Sequence, residues 1–283
     1  MKILITGGKG QLGRDLGKVL LSEGKYELTC LGHDALDITK PDNVQQAVLS
    51  VRPEVIIHAA ANTNVDQCER NEDSACLVNA LGTRNVTIAA VKVGAKLVYL
   101  STDYVFNGKA GRPYTEFDLT DPINIYGKSK LAGERYVASL ANQYFIVRTS
   151  WLYGRQGKNF VKTMLNLAQE KNEVSVVNDQ VGSPTYTKDL AHFIEELVQT
   201  ELYGIYHASN GGFCSWFDFA RAIFKLAGLS QIKVAPISTP ELNRPAPRPA
   251  YSVLNNYCIR LEGLNALRPW EEALQEFLAE IQE

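Results

Sequence analysis

Lys2-Ile3-Leu4-Ile5-Thr6-Gly7-Gly8-Lys9-Gly10-Gln11-Leu12-Gly13 decides how this chain folds. The apolar run Lys2 to Thr6 predicts a short buried strand. An amphipathic stretch through Leu16, Val19, Leu20 and Leu21 predicts a helix after the glycines. Strand, glycine turn and helix in immediate succession are the context a dinucleotide-binding fingerprint requires. Gly7, Gly10 and Gly13 stand three residues apart. At Gly7 the missing side chain permits a tight turn, at Gly10 it lets a pyrophosphate approach the backbone, and at Gly13 it lets the helix pack on the strand. The helix start then presents free N–H groups and the positive end of its dipole to phosphate.

Outward from that turn the rhythm repeats. Glu27–Leu31, Glu54–His58, Lys96–Leu100 and Phe145–Arg148 read as further buried strands, with helices between them, one opened by Pro41 and one running from Leu77 to Val91. The expected fold class is α/β, a doubly wound parallel sheet of Rossmann type. Residues 1–148 read as a nucleotide-binding domain. Residues 149–283 read as a smaller, mainly substrate-binding region partly interwoven with the sheet. Helices are expected there at Phe160–Ala168, Lys188–Gln199, Trp216–Ala227 and Trp270–Ile281, with strands at Val174–Val177 and Gly204–His207. Asp179 to Thr185 reads as a loop. So does the proline-rich stretch Pro236 to Pro249.

Ligands of such sheets bind beyond the carboxyl ends of the strands. Ala59, Ala60, Ala61, Asn62 and Thr63 close the third strand with small side chains that would let a flat ring lie against the backbone. Ser101, Thr102 and Asp103 close the fourth. The second strand ends in Leu31-Gly32-His33, without the acid that often holds an adenosine ribose, and Lys9 and Arg14 lie nearby. That combination favours NADPH over NADH; solvated surface charge is the other reading of Lys9 and Arg14. Asp37 is either an acceptor for the adenine amino group or a turn acid ahead of the Pro41 helix.

Tyr126 and Lys130 are four residues apart in Ile125-Tyr126-Gly127-Lys128-Ser129-Lys130-Leu131, a spacing that puts both on one helix face. A cation beside the phenol would lower its pKa, and a tuned phenol is a proton donor for a carbonyl oxygen.

Composition bounds the alternatives. The 283 residues carry a net charge of −2, so no basic footprint for nucleic acid exists. No apolar run reaches membrane-spanning length, and the short apolar start predicts no signal peptide. The five cysteines include no C-x-x-C pair and the four histidines are scattered. These features predict a cytoplasmic protein with reduced thiols and no metal site.

Three of these stretches, Thr6 to Gly13, Ser101-Thr102-Asp103-Tyr104-Val105-Phe106 and Tyr126-Gly127-Lys128-Ser129-Lys130, resemble the extended short-chain dehydrogenases/reductases. Arg148 to Tyr153, Asn178 to Gln180 with Gly182 to Thr185, and Arg248-Pro249 before Leu254-Asn255 narrow the likeness to the dTDP-4-dehydrorhamnose reductase family, nearly end to end.

The resemblance implies reduction of a 4-keto sugar nucleotide, dTDP-4-dehydro-β-L-rhamnose, by NADPH or NADH to give dTDP-L-rhamnose. It implies Tyr126 as proton donor and Lys130 as the cation that binds the nicotinamide ribose and lowers the phenol pKa. Thr102 would hydrogen-bond the keto oxygen. Gly10, Gln11, Leu12, Asp37, Ile38, Ala61, Asn62 and Thr63 would line the cofactor, with Gly7 and Gly13 shaping its turn. Asp103, Trp151 and Arg248 would meet the substrate, Arg248 at its diphosphate. Asp15 stands where relatives carry an acid implicated in Mg binding at a subunit contact; a first-turn helix acid explains it as well, and no metal is expected. A monomer or homodimer is implied. A 4,6-dehydratase would carry a second acid where Tyr104 stands. An epimerase or a non-catalytic NADP-binding subunit is the remaining alternative, separated by net NADPH consumption.

Overall fold

The computed structural model describes residues 1–282. Strands β1 (Lys2–Thr6), β2 (Glu27–Leu31), β3 (Val55–His58), β4 (Lys96–Thr102), β5 (Tyr144–Thr149) and β6 (Gly204–His207) form one sheet in the order β6-β5-β4-β3-β1-β2, every pair parallel. Parallel strands need crossovers, and helices on both faces bury them on two sides.

The alternation along each strand sorts the side chains. Ile3, Ile5, Val98, Leu100, Phe145 and Val147 face helices α1 (Gln11–Ser22) and Thr187–Val198. Leu4, Ile56, Leu97, Tyr99 and Ile146 face helices α2 (Pro41–Val51), α3 (Thr83–Val93) and α4 (Ile125–Leu140). The chain runs from β1 outward to β2 and then returns past β1 to β3. The reversal leaves a crevice at the carboxyl ends of β1 and β3, where such sheets bind nucleotides.

Past β5 a second core forms around Tyr153, Val161, Phe219, Ile223, Trp270 and Phe277. It lies under helices Phe160–Glu170, Trp216–Leu226 and Trp270–Gln282. This half does not stay apart. Helix α5, the Thr187–Val198 helix just named, packs on α1, and β6 pairs with β5.

Three local expectations change. Pro236 does not open a loop: Lys233–Ile237 is a strand paired in parallel with Glu173–Val177, and Pro236 is tolerated because the ladder has only two strands. Inside the supposed loop from Asp179, Val181–Gly182 pairs with Cys214–Ser215 and Thr185–Tyr186 pairs with Leu152–Tyr153. The helix expected from Leu77 is preceded by two short ones, Val65–Arg70 and Glu72–Cys76, and begins with a π-helical turn, Leu77–Gly82. Asn64 and Asn71 cap the two short helices, accepting from Gln67 N and Ser74 N.

Candidate active site

The glycine turn is built almost wholly from backbone. Gly7 holds φ +69°, and a Cβ there would stand 2.7 Å from the Ala60 nitrogen. A Cβ on Gly13 would stand 2.3 Å from the Gly7 carbonyl oxygen, so only glycine lets α1 come this close. Gly10 ends the turn in extended conformation, its N–H on the Gly7 carbonyl at 2.8 Å. No side chain caps α1, and its first turn carries no acid. Its leading N–H groups and dipole are therefore free for an anion. A turn that side chains would fill, opening on an uncapped helix, fits a dinucleotide pyrophosphate.

Lys9 and Arg14 are both engaged. Lys9 Nζ meets the Asp34 carboxylate at 2.8 Å, and Arg14 Nε donates to the Lys9 carbonyl at 3.1 Å. Asp37 accepts from the Thr39 N–H at 3.0 Å and the Thr39 hydroxyl at 2.7 Å, which holds its carboxyl below the usual range. It serves the turn ahead of α2. Ile38 is buried beneath Gly82, its carbonyl taken by Asn85.

At the other end of the crevice, buried side chains do the shaping. Asn124 caps α4, accepting from Gly127 N at 2.8 Å, and Glu69 accepts from Ile125 N at 3.0 Å. A Cβ on Gly127 would meet the Tyr104 carbonyl oxygen at 2.1 Å, so α4 begins hard against the 3₁₀ turn Asp103–Val105 that follows β4. This contact sets Tyr126 beside Thr102.

Burial drives the Tyr126 phenol well above its ordinary pKa, with the Thr102 hydroxyl opposing the shift. The direction is opposite to that expected from Lys130. Burial also pulls Lys130 down to about 7, partly offset by Glu134, and its ammonium turns to the Leu100 carbonyl at 2.6 Å, over the Tyr99 ring. A phenol so placed keeps its proton at neutral pH and can deliver it where negative charge develops.

Thr102 donates to Asp103 Oδ1 at 3.0 Å and accepts from Tyr104 N at 3.2 Å. Burial pushes Asp103 up to about 7, with nearby Ser252 and the Thr102 hydroxyl opposing the shift, and its Oδ2 has no hydrogen-bond partner. A buried carboxyl oxygen left open on a cavity is an acceptor waiting for a hydroxyl.

These two ends share one cavity of about 430 Å³. Gly10, Gln11, Leu12, Ala61 and Thr63 line its nucleotide end, and Thr102, Asp103, Tyr126, Lys130 and Trp151 its reducing end. Gly7, Gly13, Asp37, Ile38, Asn62 and Arg248 lie outside that lining.

Trp151 takes the left-handed conformation, φ +47°, rare for an indole-bearing residue. Its ring stacks on Trp216 at 3.5 Å and 7°, over Gly182, where a Cβ would stand 2.5 Å from the indole. Arg248 donates to Asp66 at 2.7 Å and to the Ala246 carbonyl at 2.6 Å, and it lowers the otherwise raised pKa of Tyr104.

Several contributors escape sequence reading. Asn79, buried on the π turn, accepts from Asn62 N at 2.8 Å and donates to the Asn62 carbonyl and to Ser129 Oγ at 3.0 Å each. It ties the loop after β3 to the catalytic helix. A lone amide inside the apolar Leu77–Leu81 stretch was the available signal. Behind Lys130, Arg148 and Glu134 form a buried bidentate pair at 2.9 and 2.7 Å, joined by the Ser101 hydroxyl. Trp216 and Lys158 also line the cavity.

Asp15 is buried and accepts from the Thr187 hydroxyl at 2.5 Å, tying α1 to α5. Among the described residues no group of three or more His, Cys, Asp or Glu could hold a metal ion, and no helix is long and apolar enough to cross a membrane.

A glycine turn and a Tyr–Lys–Thr cluster on one crevice describe many proteins. The narrowing comes from the whole chain, since residues 1–283 match the family model described as RmlD substrate binding domain. The chain belongs to the RmlD substrate binding domain family.

It is similar to the crystal structure of dTDP-4-dehydrorhamnose reductase from Bacillus anthracis str. Ames in complex with NADP, at 51% identity and TM-score 0.96 over 99% of each chain. It is 45% identical to the spore coat polysaccharide biosynthesis protein SpsK of Bacillus subtilis (strain 168), over 99% of this chain and 97% of that one. It is 40% identical to the dTDP-4-dehydrorhamnose reductase of Aggregatibacter actinomycetemcomitans, over 98% of both.

Proposed function

We propose that this chain reduces the 4-keto group of dTDP-4-dehydro-β-L-rhamnose to give dTDP-L-rhamnose, using NADPH and accepting NADH. The observation that carries this reading is the meeting of Tyr126, Thr102 and Lys130 on the cavity that also holds the Gly10–Leu12 turn. End-to-end likeness to proteins named dTDP-4-dehydrorhamnose reductase supports the substrate.

The nicotinamide cofactor, when bound, supplies the hydride. The chain supplies the rest. The α1 start and the Gly10–Leu12 backbone hold the pyrophosphate, and Lys130 holds the nicotinamide ribose. Thr102 and Tyr126 aim hydroxyls at the keto oxygen, where reduction builds negative charge, and Tyr126 gives its proton there. The open oxygen of Asp103 takes a sugar hydroxyl, and the Trp151–Trp216 stack walls the deoxysugar. Arg248, paired with Asp66 and close enough to Tyr104 to shift its pKa, is held for the diphosphate.

NADPH is preferred on this reading because β2 ends without a ribose-binding acid. A 2′-phosphate would compete with exposed Asp34 for Lys9.

The test follows absorbance at 340 nm with the keto sugar generated in place by its upstream enzymes, NADPH and NADH run side by side, and the product identified by NMR. Sugar-dependent oxidation with dTDP-rhamnose as product is expected. No net oxidation by protein that binds NADPH would overturn the reading and leave an epimerase or a cofactor-binding subunit.

A further inference from the structure

The glycine turn meets a pyrophosphate with backbone N–H groups and a helix dipole worth about half a charge, while the pyrophosphate carries about two. A cation is missing from that balance. The cations nearest the turn in sequence are occupied: Lys9 on Asp34, and Arg14 turned back onto the Lys9 carbonyl. Lys130 lies at the other end of the cavity, on the Leu100 carbonyl. Arg248 is outside the lining and paired with Asp66.

One further lysine lines the cavity, and it comes from the second half of the chain. After Tyr153 the backbone swings back over the turn. Asn159 fastens it there: its side-chain amide donates to Gln11 Oε1 at 3.1 Å and to the Gly154 carbonyl at 2.8 Å, and its oxygen accepts from Lys162 N at 3.1 Å. Gly157, at φ +74°, lies directly on Gln11, with a Cβ there 3.5 Å from Gln11 Cβ. Lys158 stands between these two anchors. It lines the cavity with Gly10, Gln11 and Leu12, and among the described residues its ammonium has no ion pair or hydrogen bond.

We propose that Lys158 closes over the glycine turn from the substrate half and binds the pyrophosphate of the nicotinamide dinucleotide, completing a site whose other wall is backbone. The inference rests on the reductase reading for the identity of that dinucleotide. It adds a cofactor-binding residue 145 or more positions from the fingerprint, on the loop that also leads from Trp151.

The test compares wild type, Lys158→Gln and Lys158→Arg in direct binding to NADPH, NADH and reduced nicotinamide mononucleotide, which has no pyrophosphate. The glutamine variant should bind NADPH and NADH about fivefold to tenfold more weakly, by the same factor for both, with a shallower salt dependence. The arginine variant should recover most of the loss, and affinity for the mononucleotide should not move. Lys158 is exposed and unpaired, so the variants should melt with wild type.

Equal affinities in Lys158→Gln and wild type would overturn the proposal. A loss confined to NADPH would overturn it in favour of a 2′-phosphate contact. A raised KM for the sugar nucleotide with unchanged coenzyme affinity would move Lys158 to the substrate's diphosphate, also against it. Wild type that binds neither coenzyme would remove the reductase reading itself, an outcome visible before any variant is compared.

Discussion

The two ends of the cavity are made by opposite means. At the nucleotide end, Gly7, Gly10 and Gly13 clear space for backbone, and the binding groups are N–H donors any residue could provide. At the reducing end, Tyr126, Lys130, Thr102 and Asp103 are specific side chains, and burial shifts the pKa values of Tyr126, Lys130 and Asp103. The first end is sensitive to added volume and indifferent to chemistry. The second is sensitive to chemistry, and its shape rests on buried supports. The nucleotide end is therefore broken by a methyl group and the reducing end by a missing proton.

The largest effect should come from Tyr126→Phe. It keeps the ring and removes the proton donor, so turnover should fall about 10³-fold while NADPH affinity stays within about twofold. Single-turnover kinetics beside a binding titration checks both; equal losses in the two would erase the distinction between the ends.

Arg148→Met should cost about 3–5 kcal/mol of stability, because the buried Glu134 loses its ion-pair partner and keeps only the Ser101 hydroxyl as a hydrogen-bond donor. Chemical denaturation measures it. A Glu134→Gln/Arg148→Met double variant should recover part of the loss, which would locate the cost in the orphaned carboxylate.

Gly13→Ala should cost about 1–3 kcal/mol and weaken NADPH binding, since its methyl would overlap the Gly7 carbonyl. Unchanged turnover at saturating coenzyme would sharpen the comparison by confining the damage to the nucleotide end.

The smallest effect concerns His58, which sits beneath both ends with its ring nitrogens on the Thr6 and Thr83 hydroxyls. Burial holds its pKa at about 3, against 6.5 when unfolded. Between those values the unfolded chain binds the extra proton, so stability drains away as pH falls from 6.5 toward 3. Asp103 acts in the reverse sense, its folded pKa of about 7 lying above 3.8, so it favours the folded state as pH falls through that range. Removing His58 with His58→Gln should shift the slope of stability against pH between 6 and 4 by up to about 1.4 kcal/mol per pH unit, so that less stability is lost as pH falls, read from denaturation at several pH values beside wild type.

What the sequence made legible follows the same division. The strands of the sheet announce themselves as apolar runs because both their faces are buried, and the glycine turn does so because only glycine fits. Tyr126 and Lys130 are visible as a spacing. What stayed hidden depends on partners far along the chain. Asp179 and Gln180 read as loop residues, yet Asp179 accepts from Thr239 N at 3.0 Å and Gln180 donates to its hydroxyl at 2.9 Å, stapling the proline-rich segment. The direction of the Tyr126 shift was misjudged because a spacing of four says nothing of how dry the site is. Asn79 and Asn159 act through residues 17 and 148 positions distant, where no local pattern points.

Because β6 returns from beyond residue 200 to pair with β5, this chain is not a two-piece kit. A gene fragment ending at Arg148 would leave the β5 edge raw and uncover Leu16 and Leu20, which Leu190, Ile194 and Leu197 cover in the intact molecule. Anyone grafting a new sugar-binding half onto this coenzyme half should transplant around residues 187–207 and leave that segment with its host.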